Sequence, residues 1–266
     1  MRIVNSVAVC ASALLAACQV DYHPYDTRIH GAVGINARNI ARIEAATAGR
    51  REIRFAVISD TQRWYDETSD AVAALNGRDD LDFVLHAGDM ADFGMKSEFE
   101  RMRDILGRLD VPYAVVIGNH DCLATGEDIF EDMFGDFDFA FTAGNVRFVC
   151  INTNALEFDR DKPVPDFGFL EKQFLEFPPE ADKSVVVMHA RPFTEQFDNN
   201  VARVFEYAVS NLPQLQFCVN GHSHTYDVAE PFDDGVLYYG CENIAKRSYL
   251  LFTLNDDGYE CERVGF

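Results

Sequence analysis

No C-x-x-C pair occurs anywhere in the chain, and its seven cysteines are scattered singly. A structural metal knot built on closely spaced thiolates is therefore not supported. Basic residues are scarce as well: 23 Lys and Arg stand against 44 Asp and Glu, a formal net charge of −21. Binding along a nucleic-acid backbone needs the opposite sign, so nucleic acid is not an expected partner. No apolar run approaches the roughly 20 residues that cross a bilayer as a helix. Internal repeats and low-complexity tracts are missing too, and nothing marks a second domain. What remains is a chain of 266 residues, 48% hydrophobic, able to bury one substantial core.

The first residues read as an address rather than as fold. Arg2 precedes a short apolar stretch, Val7 to Leu15, which ends in Leu15-Ala16-Ala17-Cys18. This is the layout of a secretory signal. Leu-Ala-Ala-Cys also matches the bacterial lipoprotein cleavage pattern, in which the cysteine becomes the lipid-bearing first residue. Residues 1–17 are accordingly expected to be a lipoprotein signal peptide, and residues 18–50 a lipidated tether with one helix. Residues 51–266 are then the functional domain. Lipid on Cys18 would hold that domain at a membrane of the bacterial envelope, outside the cytoplasm. Cys150 and Cys218 lie in strand-like runs and read as small core hydrophobes. In an exported chain Cys241 and Cys261 are open to pairing, which sequence alone does not establish.

Residues 34–49 carry apolar positions at Ile35, Ile40, Ile43 and Ala46, the pattern of an amphipathic helix. From Ile53 onward, strand-like runs alternate with helices expected over 67–76, 96–109, 167–177 and 201–210. Alternation of this kind argues for βαβ units in an α/β fold. FDFAF and NVRFVCIN flank Thr142-Ala143-Gly144 and predict an antiparallel pair. Near the end, GVLYYG, SYLLFTL and YECERV read as consecutive strands joined by short turns. Residues 156–166, with two prolines and high charge, read as a loop.

Five short motifs follow the buried-strand runs in fixed order. Asp60-Thr61-Gln62 comes after FAVI, Gly88-Asp89 after FVLH and Gly118-Asn119-His120-Asp121 after AVVI. His189 comes after SVVVM, and Gly221-His222-Ser223-His224 after FCVN. Parallel strands buried on both faces look like this, and their carboxyl ends are where an α/β sheet gathers its chemistry. Taken singly, Asp89 would pass for a turn residue and each histidine for a structural one. Together they place carboxylate, amide and imidazole groups along one edge, as a two-metal hydrolytic site requires.

This constellation resembles the calcineurin-like metallophosphoesterase family, whose pattern runs D-x-H, G-D, G-N-H-D/E, H, G-H-x-H; the resemblance covers roughly residues 53 to 226. It implies a four-layer α/β/β/α sandwich of two mixed sheets flanked by helices. It also implies two divalent metal ions, with Asp89 as the bridge. Asp60, Gln62 and His224 would complete one ion's shell, and Asn119, His189 and His222 the other's. A hydroxide bridging the ions would attack phosphorus in line while His120 protonates the leaving group. Asp92, in GDMAD, matches the aspartate that orients that histidine, and Asp121 is expected to anchor its loop through backbone amides. The ions' charge of about +4, against about −3 from Asp60, Asp89 and the hydroxide, leaves a pocket that attracts a small phosphorylated substrate.

One position departs from the pattern. Gln62 stands where the family has histidine, exchanging a borderline nitrogen donor for a hard amide oxygen, which favours Mn, Fe or Mg over Zn. The same departure supports a rival reading, a catalytically silent metal-binding lipoprotein of the envelope. Arg63 and Arg191 are candidates for forking onto a phosphate oxygen, Trp64 for a stacking wall, and His86 for a supporting or core position. The leader carries its own test. Cys18→Ser should release the protein from bacterial membranes or block its processing, as fractionation and intact mass would show. Wild type and mutant both soluble and full length would end the lipoprotein reading.

Overall fold

The structure, a computed structural model, describes residue 23 and residues 25–158 and 163–266. The expected signal over residues 1–17 and Cys18 lie outside the described residues, as do 159–162 of the charged loop.

Strands β1 (Ile53–Ile58), β2 (Phe83–His86) and β3 (Tyr113–Val115) run parallel. They form one edge of a five-stranded sheet completed by β10 (Ser248–Asn255), antiparallel to β1, and β11 (Gly258–Gly265). A second sheet has six strands in the order β4 (Phe139–Ala143), β5 (Val146–Cys150), β6 (Lys183–Val187), β7 (Leu215–Asn220), β9 (Tyr238–Gly240) and β8 (Asp227–Ala229). Here β5, β6, β7 and β9 are parallel, while β4 and β8 pair antiparallel on the two edges. The expected hairpin is the β4–β5 pair. GVLYYG and SYLLFTL, however, do not lie side by side. β9 joins the second sheet between β7 and β8, whereas β10 joins the first, beside β1 far earlier in the chain.

Alternation along each strand builds the layers. In β1, Phe55 and Val57 face the second sheet while Ala56 and Ile58 face helices, so both faces are buried and the run reads as continuously apolar. The middle layer is aromatic: Phe55 stacks on Phe83 with centroids 5.0 Å apart, and Phe148 meets Phe55 edge-on at 5.1 Å. Such pairs add about 0.5–1.5 kcal/mol each beyond simple burial. Outside the first sheet pack α2 (Tyr65–Asn76), α3 (Lys96–Leu106) and α4 (Gly126–Phe134); outside the second pack α5 (Phe167–Leu175) and α6 (Ala202–Ser210). This is the α/β/β/α sandwich. No helix among the described residues is long and apolar enough to cross a membrane.

The helix assigned to the tether segment is built into the sandwich. α1 (Ile35–Thr47) buries Ile35 with the outer helices and Ile43 between the sheets. Its asparagines take the place of a missing strand. Asn36 donates to Val115 O at 2.9 Å and accepts from Val115 N at 3.0 Å, and Asn39 donates to Tyr113 O at 2.8 Å. The open edge of β3 is thereby satisfied. Ahead of α1 the chain lies along α3: Asp26 pairs with Lys96 at 2.7 Å, and Arg103 Nη1 donates to His30 O at 2.7 Å. Cys241 and Cys261 are free thiols rather than a disulfide. Cys241 Sγ donates to Val57 O at 3.4 Å, and Cys261 sits on β11 opposite Phe252.

Asn36 generates a direct test. Asn36→Ala leaves a buried N–H and a buried C=O of Val115 without partners, and should cost about 2–3 kcal/mol. Arg38→Ala, on the exposed side of the same helix, should change little. Urea midpoints of the two variants measure the difference.

Candidate metal centre

All the predicted ligands come from loops leaving the carboxyl ends of β1, β2, β3, β6 and β7, where the two sheets meet. The loops interlock through the main chain. Asp60 N bonds Gly88 O at 3.0 Å, while Thr61 N and Gln62 N both bond Asp89 O at 3.0 and 3.1 Å. The turns are sharp enough to force left-handed backbone on non-glycine residues: Asp60 has φ 53°, Asp89 61°, His222 68° and His224 56°. Conformations of this kind cost on the order of 1–3 kcal/mol each and gather at functional sites. Gly88, at φ 97°, is required twice over, because a Cβ there would stand 2.4 Å from His189 Nδ1.

The donor atoms fall into two sets that share one oxygen. Asn119 Oδ1 stands 3.1 Å from both His189 Nε2 and His222 Nδ1. His189 Nε2 is also 3.3 Å from Asp89 Oδ2. On the other side, His224 Nε2 approaches Asp60 Oδ1 to 3.1 Å, and Gln62 Nε2 donates to the same Asp89 Oδ2 at 3.4 Å. Asp89 Oδ1 is occupied separately, accepting His120 N at 2.9 Å. Ligand atoms of Asp60, Asp89 and His189 lie within 4.8 Å of one another, all three residues buried.

Two observations show that these groups fit a cation. Gln62 Oε1 is buried yet accepts no hydrogen bond, the mark of an oxygen whose partner is not a protein group. The side chains alone also make the pocket anionic. Burial opposes charge on His189, but Asp89 beside it prevails and pushes its pKa up to about 10. Burial likewise opposes the Asp89 carboxylate, which His189 nonetheless holds below its ordinary value. A field that draws a proton so strongly draws a divalent ion in the same way. Gln62 turns inward with the rest, 3% exposed.

The sequence matches the model of the calcineurin-like phosphoesterase family over residues 53–226. The chain belongs to that family. It is a metallophosphoesterase, and solved structures share its fold at low identity. A dimetal phosphatase from Danio rerio is 13% identical with a TM-score of 0.59, covering 80% of this chain and 99% of its own. Purple acid phosphatase PPD1 from yellow lupin seeds is 13% identical with a TM-score of 0.62, covering 80% of this chain and 51% of its own. GAP50, described as the anchor in the inner membrane complex of Plasmodium, is 13% identical with a TM-score of 0.59, covering 81% and 85%. No curated protein matches in sequence.

Around the cage of this phosphoesterase, the remaining candidates divide. Asp121 anchors as expected. Its two oxygens accept four backbone amides, from Gly118, Asp89, Met90 and Ala91, at 2.8–2.9 Å. His86 is buried and holds its place by bonding Thr61 Oγ1 at 2.8 Å and accepting Gly88 N at 3.2 Å; burial lowers its pKa to about 4. It supports the loops as a neutral ring. Asp92 differs from expectation. His120 Nδ1 bonds the Asp92 main-chain carbonyl at 2.8 Å, while the carboxylate stands 3.8 Å off and is paired with Arg63. Arg191 is taken up by Asp227 at 3.3 Å, and Trp64 packs half-buried on the first helical layer.

Sequence reasoning missed three contributors. Thr153 accepts Ala190 N at 3.1 Å, tying the ends of β5 and β6, and Asn154 donates to Ile117 O at 3.0 Å, joining the two sheets; their only signal was position just after β5. Glu195, 3.1 Å from His222 Nε2, sits on a loop with no motif at all. Asp121 yields the test. Asp121→Asn keeps the volume but turns an N–H₂ toward amide donors, so it should destabilise the protein by about 2–3 kcal/mol. It should also lower metal content by loosening Asp89. Thermal melts alongside elemental analysis check both, and an unchanged result in both would show that the four amides do not depend on the charge.

Proposed function

We propose that this chain hydrolyses a small phosphorylated substrate with a dinuclear divalent centre, outside the cytoplasm. The observation that carries the reading is Asp89 Oδ2, which lies against both donor sets at once. Asp60, Gln62 and His224 would hold one ion, and Asn119, His189 and His222 the other. Ions bound there would supply the Lewis-acid charge that a phosphoryl-transfer transition state needs. Mn, Fe or Mg suits the amide oxygen of Gln62 better than Zn does.

His120 is placed to act on the leaving group. Its backbone amide is tied to Asp89, and its Nδ1 donates to the Asp92 carbonyl. That bond fixes the tautomer and leaves Nε2 on a ring still 35% exposed, free to carry a proton to an alkoxide.

Attachment through lipid on Cys18 belongs to the same reading. Asp26 is already fixed to Lys96, so eight peptide steps, extended, would give a leash of at most about 28 Å. The rival, a metal-binding envelope protein without turnover, draws on Gln62 and on GAP50's description as an anchor. The disposition of His120 favours the enzyme.

Chelation of the purified protein should abolish phosphoester hydrolysis, and Mn should restore it better than Zn; equal rates before and after exhaustive chelation would sink the metal mechanism. Replacements should then fail differently. His120→Ala should keep its metal while the rate falls about 10²–10⁴-fold on poor leaving groups, and less on an activated aryl phosphate. Asp89→Ala should lose metal and activity together, whatever the leaving group. Metal loss in His120→Ala would make that histidine a ligand instead. Metal binding with no turnover of any mono- or diester would favour the rival.

A further inference from the structure

His222 presents its two ring nitrogens to different surroundings. Nδ1 points into the cage, 3.1 Å from Asn119 Oδ1, while Nε2 points outward, 3.1 Å from Glu195 Oε1. The ring itself is only 11% exposed, whereas the Glu195 side chain is 77% exposed. A glutamate so open to water gains little from an ordinary surface ion pair. Its value lies in what it does to the ring. We infer that Glu195 is a positioning residue for the second metal ion, holding His222 in the tautomer that binds through Nδ1.

An imidazole donates from one nitrogen and offers a lone pair at the other. When Glu195 accepts Nε2–H, the lone pair is left on Nδ1, the nitrogen that faces Asn119, His189 and Asp89. The carboxylate also makes Nδ1 a stronger donor and stops the ring from turning over. With a cation in place, the alternative tautomer would aim an N–H at the ion and an unprotonated nitrogen at a carboxylate, which is repulsive at both ends.

The loop bearing Glu195 is suited to this task. Phe193 N bonds Asn199 Oδ1 at 2.7 Å and Asn199 Nδ2 returns to Thr194 O at 2.8 Å. On the other flank, Ala155 N bonds Gln196 O at 2.9 Å and Gln196 Nε2 bonds Glu157 at 3.0 Å. Glu195 is thus presented from a backbone braced on both sides. The same loop begins just after His189, so one segment supplies a ligand to the second ion and supports another.

This inference rests on the dinuclear reading, and the experiment separates the two. Full-length protein is stripped by chelation and titrated with Zn²⁺, a diamagnetic probe, following stepwise binding by calorimetry and ring tautomers by ¹⁵N-histidine NMR. In wild type, His222 should show Nδ1 bound to metal and a protected Nε2–H. Glu195→Ala should weaken the second binding step about 10–100-fold, leave the first unchanged and expose Nε2–H to exchange. Glu195→Gln, whose amide oxygen still accepts Nε2–H, should recover most of the loss. Equal second-step affinity in wild type and Glu195→Ala would overturn the inference, as would ligation through Nε2 or a glutamine variant as weak as alanine. Absence of a second binding step in wild type would instead overturn the dinuclear reading. Apo-protein melting temperatures, expected to agree among the three, confirm that any loss is local.

Discussion

Everything at the mouth of this molecule is arranged around a carboxylate that has been taken out of water. Asp89 is 1% exposed, and a charge so placed is unfavourable by several kcal/mol unless each oxygen is answered. One oxygen is answered by the His120 amide, and the other faces His189 and the Gln62 amide. The main chain around it is held by Asp121, which gathers four amides into its own carboxylate. Two buried acids thus stand side by side, one fixing the loop and the other left with its charge directed into the cage. Removing the first would shift the second, so loop geometry and metal affinity are one problem here.

Strain follows from the same constraint. Strands that end at the site must turn their final side chains toward one point, and four of the proposed ligands adopt left-handed backbone to do so. Such turns weaken the fold locally, by on the order of 1–3 kcal/mol each. The rest of the sandwich supplies the compensation. Its middle layer of stacked phenylalanines and the asparagine-sealed edge of β3 lie away from the chemistry and hold the strand ends fixed. Bound cations would return part of the cost by binding only the folded arrangement.

The strands leading to the motifs were legible because burial on both faces writes a continuous apolar run, and a motif residue after each run marks a strand end. FVLH is β2 residue for residue. Legibility failed where the deciding contact is distant in the chain. The partition of β9 and β10 between two sheets depends on partners that no local pattern reveals. α1 showed its amphipathic face, but its sealing role lies in two asparagines that bond a strand more than seventy residues away. At the site, residue types identified the ligand set, whereas the contact that orients His120 comes from a carbonyl, a group every residue carries. Glu195 was invisible for a related reason: an acidic residue in a loop of an acidic protein carries no signal until the fold sets it against His222.

The arginines complete the electrostatic argument. A protein of net charge −21 repels a phosphate ester at a distance, so attraction must come from local positive charge. The two arginines closest in sequence to the motifs are both compensated, Arg63 by Asp92 and Arg191 by Asp227. His189 owes its raised pKa to Asp89 and is buried beyond a substrate's reach. On the proposed reading, bound cations rather than guanidinium forks would recognise the phosphoryl group, and the side chains would hold those cations in place. An acidic exterior then has a consistent role. It would disfavour anions at the unloaded cage and make phosphate binding depend on the metal, so that the charge which activates the substrate would be the same charge that admits it.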